Sequence, residues 1–339
     1  MILVTGGTGL VGSHLIFHLL KEGASVKAIH RKNSNIQRVK EVFSYYEENP
    51  EPLFNKIQWI EADINDIPAL ELAFEDVTLV YHCAAFISFD PNDFNALQKI
   101  NKRGTENIVN LSIAMKIKKL CYVSSIAAIG KSTTGELINE ENEWNDAFAN
   151  VYASSKHFAE MEVWRGAQEG LPMVIVNPGI ILGPGFWKSG SGLLFNTVAR
   201  GTRYYFPGGT GFISVGDVVK IMVQLMDSPI KNERFIAVAE NLSFKSILET
   251  ISLGFNRPVP KIKLKYWQLE FFWRIDWVLK LISSKKRKLT KQGLKSLRYP
   301  QEYDNLKVQE ALNMEYEPIK ACVAYSCIKY MEAHSFSLT

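Results

Sequence analysis

Short apolar runs alternate along the first half of this chain with stretches whose apolar residues recur every three to four positions, a pattern that predicts strands and helices in turn. Residues 1–5 form an apolar run that leads into a helical pattern carried by Leu10, Leu15, Ile16, Leu19 and Leu20. Strand patterns follow at 25–29, 57–61, 79–82, 120–123 and 173–176, with helical patterns at 36–46, 69–74, 94–115 and 152–165 between them. Residues 47–55, polar and containing proline, read as a loop. Repeated strand–helix–strand units imply a parallel sheet, because each crossover lays its helix on a face of the sheet. Right-handed crossovers then make the domain doubly wound.

The regularity breaks after Asn177, where Pro178, Gly179, Gly183, Pro184, Gly185, Gly190 and Gly192 crowd into one span. We read this as the passage into a smaller domain. A helix at 214–226 and a strand at 234–238 return to the main sheet, while helices near 243–253, 266–282 and 304–312 supply the smaller unit. The division is therefore a cofactor domain of 1–178 with returning segments about 212–239, and a substrate domain of 179–211 and 240–339.

Composition narrows this picture without redirecting it. With 339 residues, 47% apolar and 22% charged, the chain suits a soluble enzyme with one large core or two modest ones. A net charge of +4 with no basic–aromatic periodicity gives no ground for a nucleic-acid partner. Cys83, Cys121, Cys322 and Cys327 form no Cys-x-x-Cys pair, and no His, Asp or Glu cluster has metal spacing, so reduced thiols and chemistry without a metal are expected. The first strand starts at once, leaving no room for a secretory leader, so a cytoplasmic location is expected. The aromatic stretch 266–282, followed by Lys285, Lys286, Arg287 and Lys288, is too polar to span a bilayer. We expect it to line an apolar pocket or pack on the main domain, with Trp273 and Trp277 buried; a membrane-surface role is the less favoured alternative.

The first strand runs directly into Gly6-Gly7-Thr8-Gly9-Leu10-Val11-Gly12 and then a helix. Such a turn leaves backbone N–H groups unpaired at the helix start, and its glycines let a pyrophosphate approach them. In this context the spacing predicts dinucleotide binding on a Rossmann-type sheet. A carboxylate at the end of the second strand would select NAD by binding its ribose hydroxyl, whereas here the segment reads Ile29-His30-Arg31-Lys32. Cations at that point favour NADP(H), with Arg31 the better phosphate partner because its guanidinium is planar and forked, and Lys32 beside it.

Tyr152 and Lys156 form a Tyr-x-x-x-Lys pair that a helix places on one face. The same spacing occurs at Tyr303/Lys307, Tyr316/Lys320 and Tyr325/Lys329, but only Tyr152 follows shortly after a strand end, at Val123-Ser124-Ser125. Together with Asp63-Ile64, His82-Cys83-Ala84-Ala85, Asn101 with Gly104-Thr105, and Asn177-Pro178-Gly179, these motifs give a chain that resembles the extended short-chain dehydrogenase/reductase superfamily over nearly its whole length. It is most similar to the dihydroflavonol reductase and 3β-hydroxysteroid dehydrogenase branch.

The resemblance implies that Tyr152 is a general acid/base, that Lys156 tunes it and binds the nicotinamide ribose, and that Ser125 holds the substrate oxygen, with Ser124 as its competitor. It also implies cofactor contacts at Gly6, Gly9, Leu10, Val11, Gly12, Asp63, Ile64, Ala84, Ala85, Ser124, Tyr152, Lys156, Pro178 and Ile181. Asn101 reads equally as a structural residue fixing a neighbouring strand, and His82 as a core histidine. The expected activity is NADP(H)-dependent interconversion of a carbonyl and an alcohol on a fairly apolar small molecule. Rival readings are a nucleotide-sugar epimerase or dehydratase with retained NAD, and a catalytically silent sensor or scaffold. The helices at 94–115 and 151–165 are the pair on which the superfamily commonly dimerises, so a homodimer is compatible with the sequence.

Overall fold

The structure, a computed structural model, describes residues 1–132, 135–146, 149–271, 274 and 300–335. Its centre is a seven-stranded sheet of β1 (Ile2–Thr5), β2 (Val26–His30), β3 (Gln58–Glu61), β4 (Leu79–His82), β5 (Lys119–Val123), β6 (Met173–Pro178) and β10 (Glu233–Ala237). The strands lie in the order β10-β6-β5-β4-β1-β2-β3, and every pairing is parallel. Strand order reverses between β1 and β4, and in such sheets that reversal opens a crevice at the carboxyl edge.

Both faces of the sheet are buried, so its strands are continuously apolar and not alternating. Leu3, Leu120, Tyr122, Met173 and Ile175 point into one core with Ile108, Val109, Ala159 and Val163. Their neighbours Val4, Cys121, Val174 and Val176 point the other way, into a core with Leu15, Ile16, Val218 and Met222. The first core is covered by α4 (Ile67–Phe74), α6 (Gly104–Ala114) and α7 (Val151–Gln168), the second by α1 (Leu10–Lys21) and α9 (Val215–Asp227).

A second core of Leu182, Trp187, Phe195, Phe212, Ile247, Ile251, Val323 and Cys327 sits beside a three-stranded sheet of β7 (Ile180–Leu182), β9 (Gly209–Ser214) and β11 (Glu240–Ser243). Polar contacts that join the halves include a buried one from His14 of α1 to Pro184 O through Nε2 (3.1 Å) and a half-buried one in which Tyr325 donates to Tyr45 O (2.6 Å).

Several elements differ from the expectation. The loop at 47–55 holds a helical turn at Glu51–Phe54, and the helical run from Phe94 contains a π-helical stretch at Gln98–Arg103. The helix Ile319–Ser335 was not foreseen; β7 and β9 fall in stretches whose glycines mask strand patterns, and β11 is a short, mostly polar run. Residues 272, 273 and 275–299, including Trp273, Trp277 and the basic run, lie outside the described residues. Among the described residues no helix is long and apolar enough to cross a membrane, and no cluster of His, Cys, Asp and Glu has metal-binding geometry.

Candidate active site

The glycine turn closes where β1 ends. Gly6 adopts φ +70°, and Gly9 N donates to Gly6 O (2.9 Å). A Cβ on Gly12 would lie 2.3 Å from Gly6 O, and one on Gly6 would lie 2.6 Å from Ala84 N, so the turn packs directly on the chain leaving β4. Gly9 caps α1 without a side chain, and no acid occupies the first turn, so nothing of the protein's own neutralises the first N–H groups of Leu10, Val11 and Gly12. This cradle fits a dinucleotide pyrophosphate.

Next to it, Arg31, Lys32, Asn33, Glu61, Ala62, Asp63 and Asp66 line a cleft of about 430 Å³. The two cations expected to meet a ribose phosphate therefore share one cleft with Asp63, expected near the adenine. Asp63 Oδ1 already accepts from Asn65 N (2.9 Å) and Asn65 Nδ2 (3.1 Å). Glu61 and Asp66 were not foreseen here; they follow β3, and only the sheet order brings them to the end of β2. Ile64 lies under Gly104 and accepts from Asn107 Nδ2 through its carbonyl (2.9 Å).

A buried polar chain fixes the floor of the crevice. Ala84 N donates to Thr5 Oγ1 (3.2 Å), Thr5 Oγ1 meets His82 Nδ1 (2.6 Å), and His82 Nε2 meets Thr105 Oγ1 (2.9 Å). Thr105 donates its hydroxyl proton to Asn101 O (2.6 Å), which assigns the His82 proton to Nε2. Burial, helped by the nearby Lys156 charge, pulls His82 down to about 3, so it is a neutral structural residue. Asn101 is structural as well. Its Oδ1 accepts from Phe86 N (2.7 Å), and its Nδ2 donates to Phe86 O (2.9 Å) and to Ser155 Oγ (2.9 Å), clamping the loop after β4.

That loop presents Ile87 and Phe89, which are 56% and 48% exposed, and the Phe89 ring meets Tyr152 edge to face at 5.5 Å. Two exposed apolar side chains on so firmly held a loop give the crevice an apolar wall. Tyr152 stands in the first turn of α7, whose start is set by Asn150 accepting from Ala153 N (2.8 Å). The phenol faces the Ser125 side chain; burial pushes it up to about 12, and the serine opposes that rise. Lys156, one turn later and 1% exposed, donates to Tyr122 Oη (2.6 Å) and Val123 O (2.9 Å). Burial draws its ammonium down to about 7 against the nearby Glu160 and Cys83. Ser124 points elsewhere, donating to Glu160 Oε2 (2.6 Å), so of the two serines only Ser125 faces Tyr152.

Pro178 closes β6, and Ile181 pairs with Ile213 of β9. Glu160 and Arg234 were missed by the sequence reading. Glu160 is fully buried and also accepts from Asn177 Nδ2 (2.8 Å) and Arg234 Nη1 (3.0 Å). Its signal was the extended spacing Tyr-x-x-x-Lys-x-x-x-Glu, which keeps all three on one helical face.

A model of the NAD dependent epimerase/dehydratase family matches residues 2–238. The chain is 30% identical to a putative dihydroflavonol 4-reductase of Synechocystis sp., covering 99% of this chain and 96% of that protein. It is 28% identical to sterol demethylase protein B of Methylococcus capsulatus, over 77% and 76% of the two chains. Its fold is similar to that of the Bordetella bronchiseptica enzyme WbmH in complex with NAD+, with a TM-score of 0.75, 18% identity and 98% coverage of each chain.

Proposed function

The chain belongs to the NAD-dependent epimerase/dehydratase family, and from that premise we propose that it is an NADP(H)-dependent oxidoreductase interconverting a ketone or aldehyde and an alcohol on a fairly apolar substrate. One observation carries the reading: the Ser125 side chain faces the Tyr152 phenol at the crevice, with Lys156 buried one turn away. Bound NADP(H) supplies or accepts the hydride. Tyr152 passes the proton to or from the substrate oxygen, and Ser125 holds that oxygen as charge develops on it. Lys156 places a positive charge behind the phenol, which favours its ionised form. Gly6, Gly9 and Gly12 admit the pyrophosphate, while Arg31 and Lys32 favour a phosphate-bearing ribose at the cleft they line. Asn177 Oδ1, a buried acceptor without a donor among the described residues, lies at the end of β6 beside this machinery and suits a site completed by a ligand.

In this reading residues 1–178 and 212–239 carry the cofactor, and 179–211 with 240–339 shape the substrate side. Ile87 and Phe89 make an aliphatic or ring-bearing carbonyl compound a better fit than a sugar. The test is a screen of ketones, aldehydes and keto-steroids that follows NADPH consumption, with NADH in parallel. Stoichiometric oxidation of NADPH supports the proposal. Turnover of nucleotide sugars without net cofactor consumption would replace it with epimerase chemistry.

A further inference from the structure

The catalytic helix carries a buried carboxylate that this mechanism does not use. Glu160 lies one turn beyond Lys156 and is 0% exposed. It gathers donors from the ends of three adjacent strands: Ser124 after β5 and Asn177 of β6 on Oε2, and Arg234 of β10 on Oε1. Asn177 Nδ2 also donates to Ser125 O (3.0 Å), so the carboxylate holds the backbone of the serine that faces Tyr152.

Arg234 continues the chain outward. Its Nε donates to Glu140 O (2.9 Å) and its Nη2 to the same carbonyl, while Glu140 Oε1 accepts from Ile236 N (2.7 Å). The segment of residues 138–146, here called the lip, packs on this strand and the residue after it through Ile138, Ile236 and Val238. Farther along the lip, Trp144 stacks on His157 of α7 at 4.1 Å. One guanidinium therefore links the edge strand, the catalytic helix and the lip. A buried ion pair contributes little net stability compared with apolar side chains of equal volume, but its directional bonds specify one arrangement.

Building on the oxidoreductase reading, we propose that Glu160 and Arg234 are positioning residues: the pair fixes the Ser125–Tyr152 geometry and couples it to the 138–146 lip. Neither touches the reacting atoms. Glu160 sets the serine from beneath, and Arg234 transmits the seating of the lip.

Two variants separate these roles in the full-length protein. Glu160→Gln keeps the shape but removes the charge. It is expected to lower kcat about 10- to 100-fold while NADPH affinity stays within about threefold, a loss of roughly 1.4–2.7 kcal/mol in transition-state binding. Lys156 is faced by Tyr122, His82 and Cys83 as well as Glu160, of which Glu160 is the carboxylate that supports its charge. The alkaline limb of kcat/KM should therefore move to lower pH, a shift that lost stability alone would not produce. Arg234→Lys keeps a cation but not the fork, so KM is expected to rise at least fivefold with a smaller change in kcat.

If Glu160→Gln does not fold, Ser124→Ala takes its place, removing one donor from Oε2. A three- to tenfold fall in kcat with melting temperature retained supports the proposal. Unchanged kcat and an unchanged pH profile in a folded Glu160→Gln or Ser124→Ala protein would overturn the positioning role alone, and equal losses of kcat and KM effects in Arg234→Lys would overturn the coupling to the lip. An unaltered protein that turned over no carbonyl with NADPH would instead overturn the reading on which the proposal rests.

Discussion

Tyr152 is a weak acid in its resting environment, since burial raises the phenol to about 12 and only Ser125 pulls it back. Lys156, proposed above to favour its ionisation during the reaction, is engaged in this structure with Tyr122 Oη and Val123 O. Replacing Tyr152 by Phe removes the transferable proton and keeps the ring that Phe89 contacts. Carbonyl turnover is then expected to fall by roughly two to four orders of magnitude, with NADPH affinity unchanged in a fluorescence titration. Arg31→Asp is expected to reverse the cofactor preference, because it sets a carboxylate where a ribose hydroxyl, and not a phosphate, can be bound. Competitive titration with NADPH and NADH checks this; tighter NADH binding by the unaltered protein would refute the role of Arg31. At this scale the sequence was informative about the residues proposed to meet ligands and silent about those behind them. Gly12, Tyr152 and Lys156 stand in spacings that chemistry constrains. Glu160, four positions after a lysine, reads as half of an exposed helix-surface ion pair until the fold turns that face inward.

Among the elements, legibility followed the length and continuity of the apolar signal. The strands of the main sheet are read with errors of a residue or two because both of their faces are buried, and β4 is found at its full extent, Leu79–His82. By contrast β9 carries Gly209 and Gly211, chosen for close approach: a Cβ on Gly211 would meet Val238 Cγ2 at 2.5 Å, and one on Gly209 would meet Leu242 O at 2.6 Å. The helix Ile319–Ser335 buries Cys322, Ser326 and Cys327 beside Ile319, Val323 and Tyr330, so its inward face is half polar in composition and its period is faint. Helical glycines also differ in what they protect. In α1 a methyl group on Gly12 would strike the backbone of Gly6, whereas in α6 one on Gly104 would meet the Ile64 side chain, Cδ1 at 2.4 Å and Cγ1 at 2.7 Å. Gly12→Ala is therefore expected to weaken NADPH binding at least tenfold and lower the melting temperature. Gly104→Ala should change stability by no more than about 1 kcal/mol, because Ile64 can rotate and the helix gains from losing a glycine. Parallel melting and NADPH titrations of the two variants check the contrast.

For the whole molecule, one of the polar contacts that join the two halves titrates. His14 is held near 4, chiefly by burial, while it accepts from Tyr46 Oη and donates to Pro184 O. An unfolded histidine titrates near 6.5, so between those values the unfolded chain binds a proton that the folded chain refuses, and stability falls as pH falls. The slope from this group is about 1.4 kcal/mol per pH unit. His14→Gln keeps one donor and one acceptor without the charge. Urea unfolding of both proteins from pH 6.5 to 4.5 should show the unaltered chain losing stability faster by about that amount; parallel curves would place the acid sensitivity elsewhere. The edge strand β10 has a consequence in time. It joins the main sheet only after the chain has left through β7 and β9 and come back, so β6 waits for a partner made some fifty-five residues later, and Arg234 arrives with it. A nascent chain ending near residue 180 already has the glycine turn, the crevice and the tyrosine, yet Glu160 lacks its ion-pair partner Arg234. The order of synthesis thus separates nucleotide binding from competence for catalysis, and in refolding the first should return before the second.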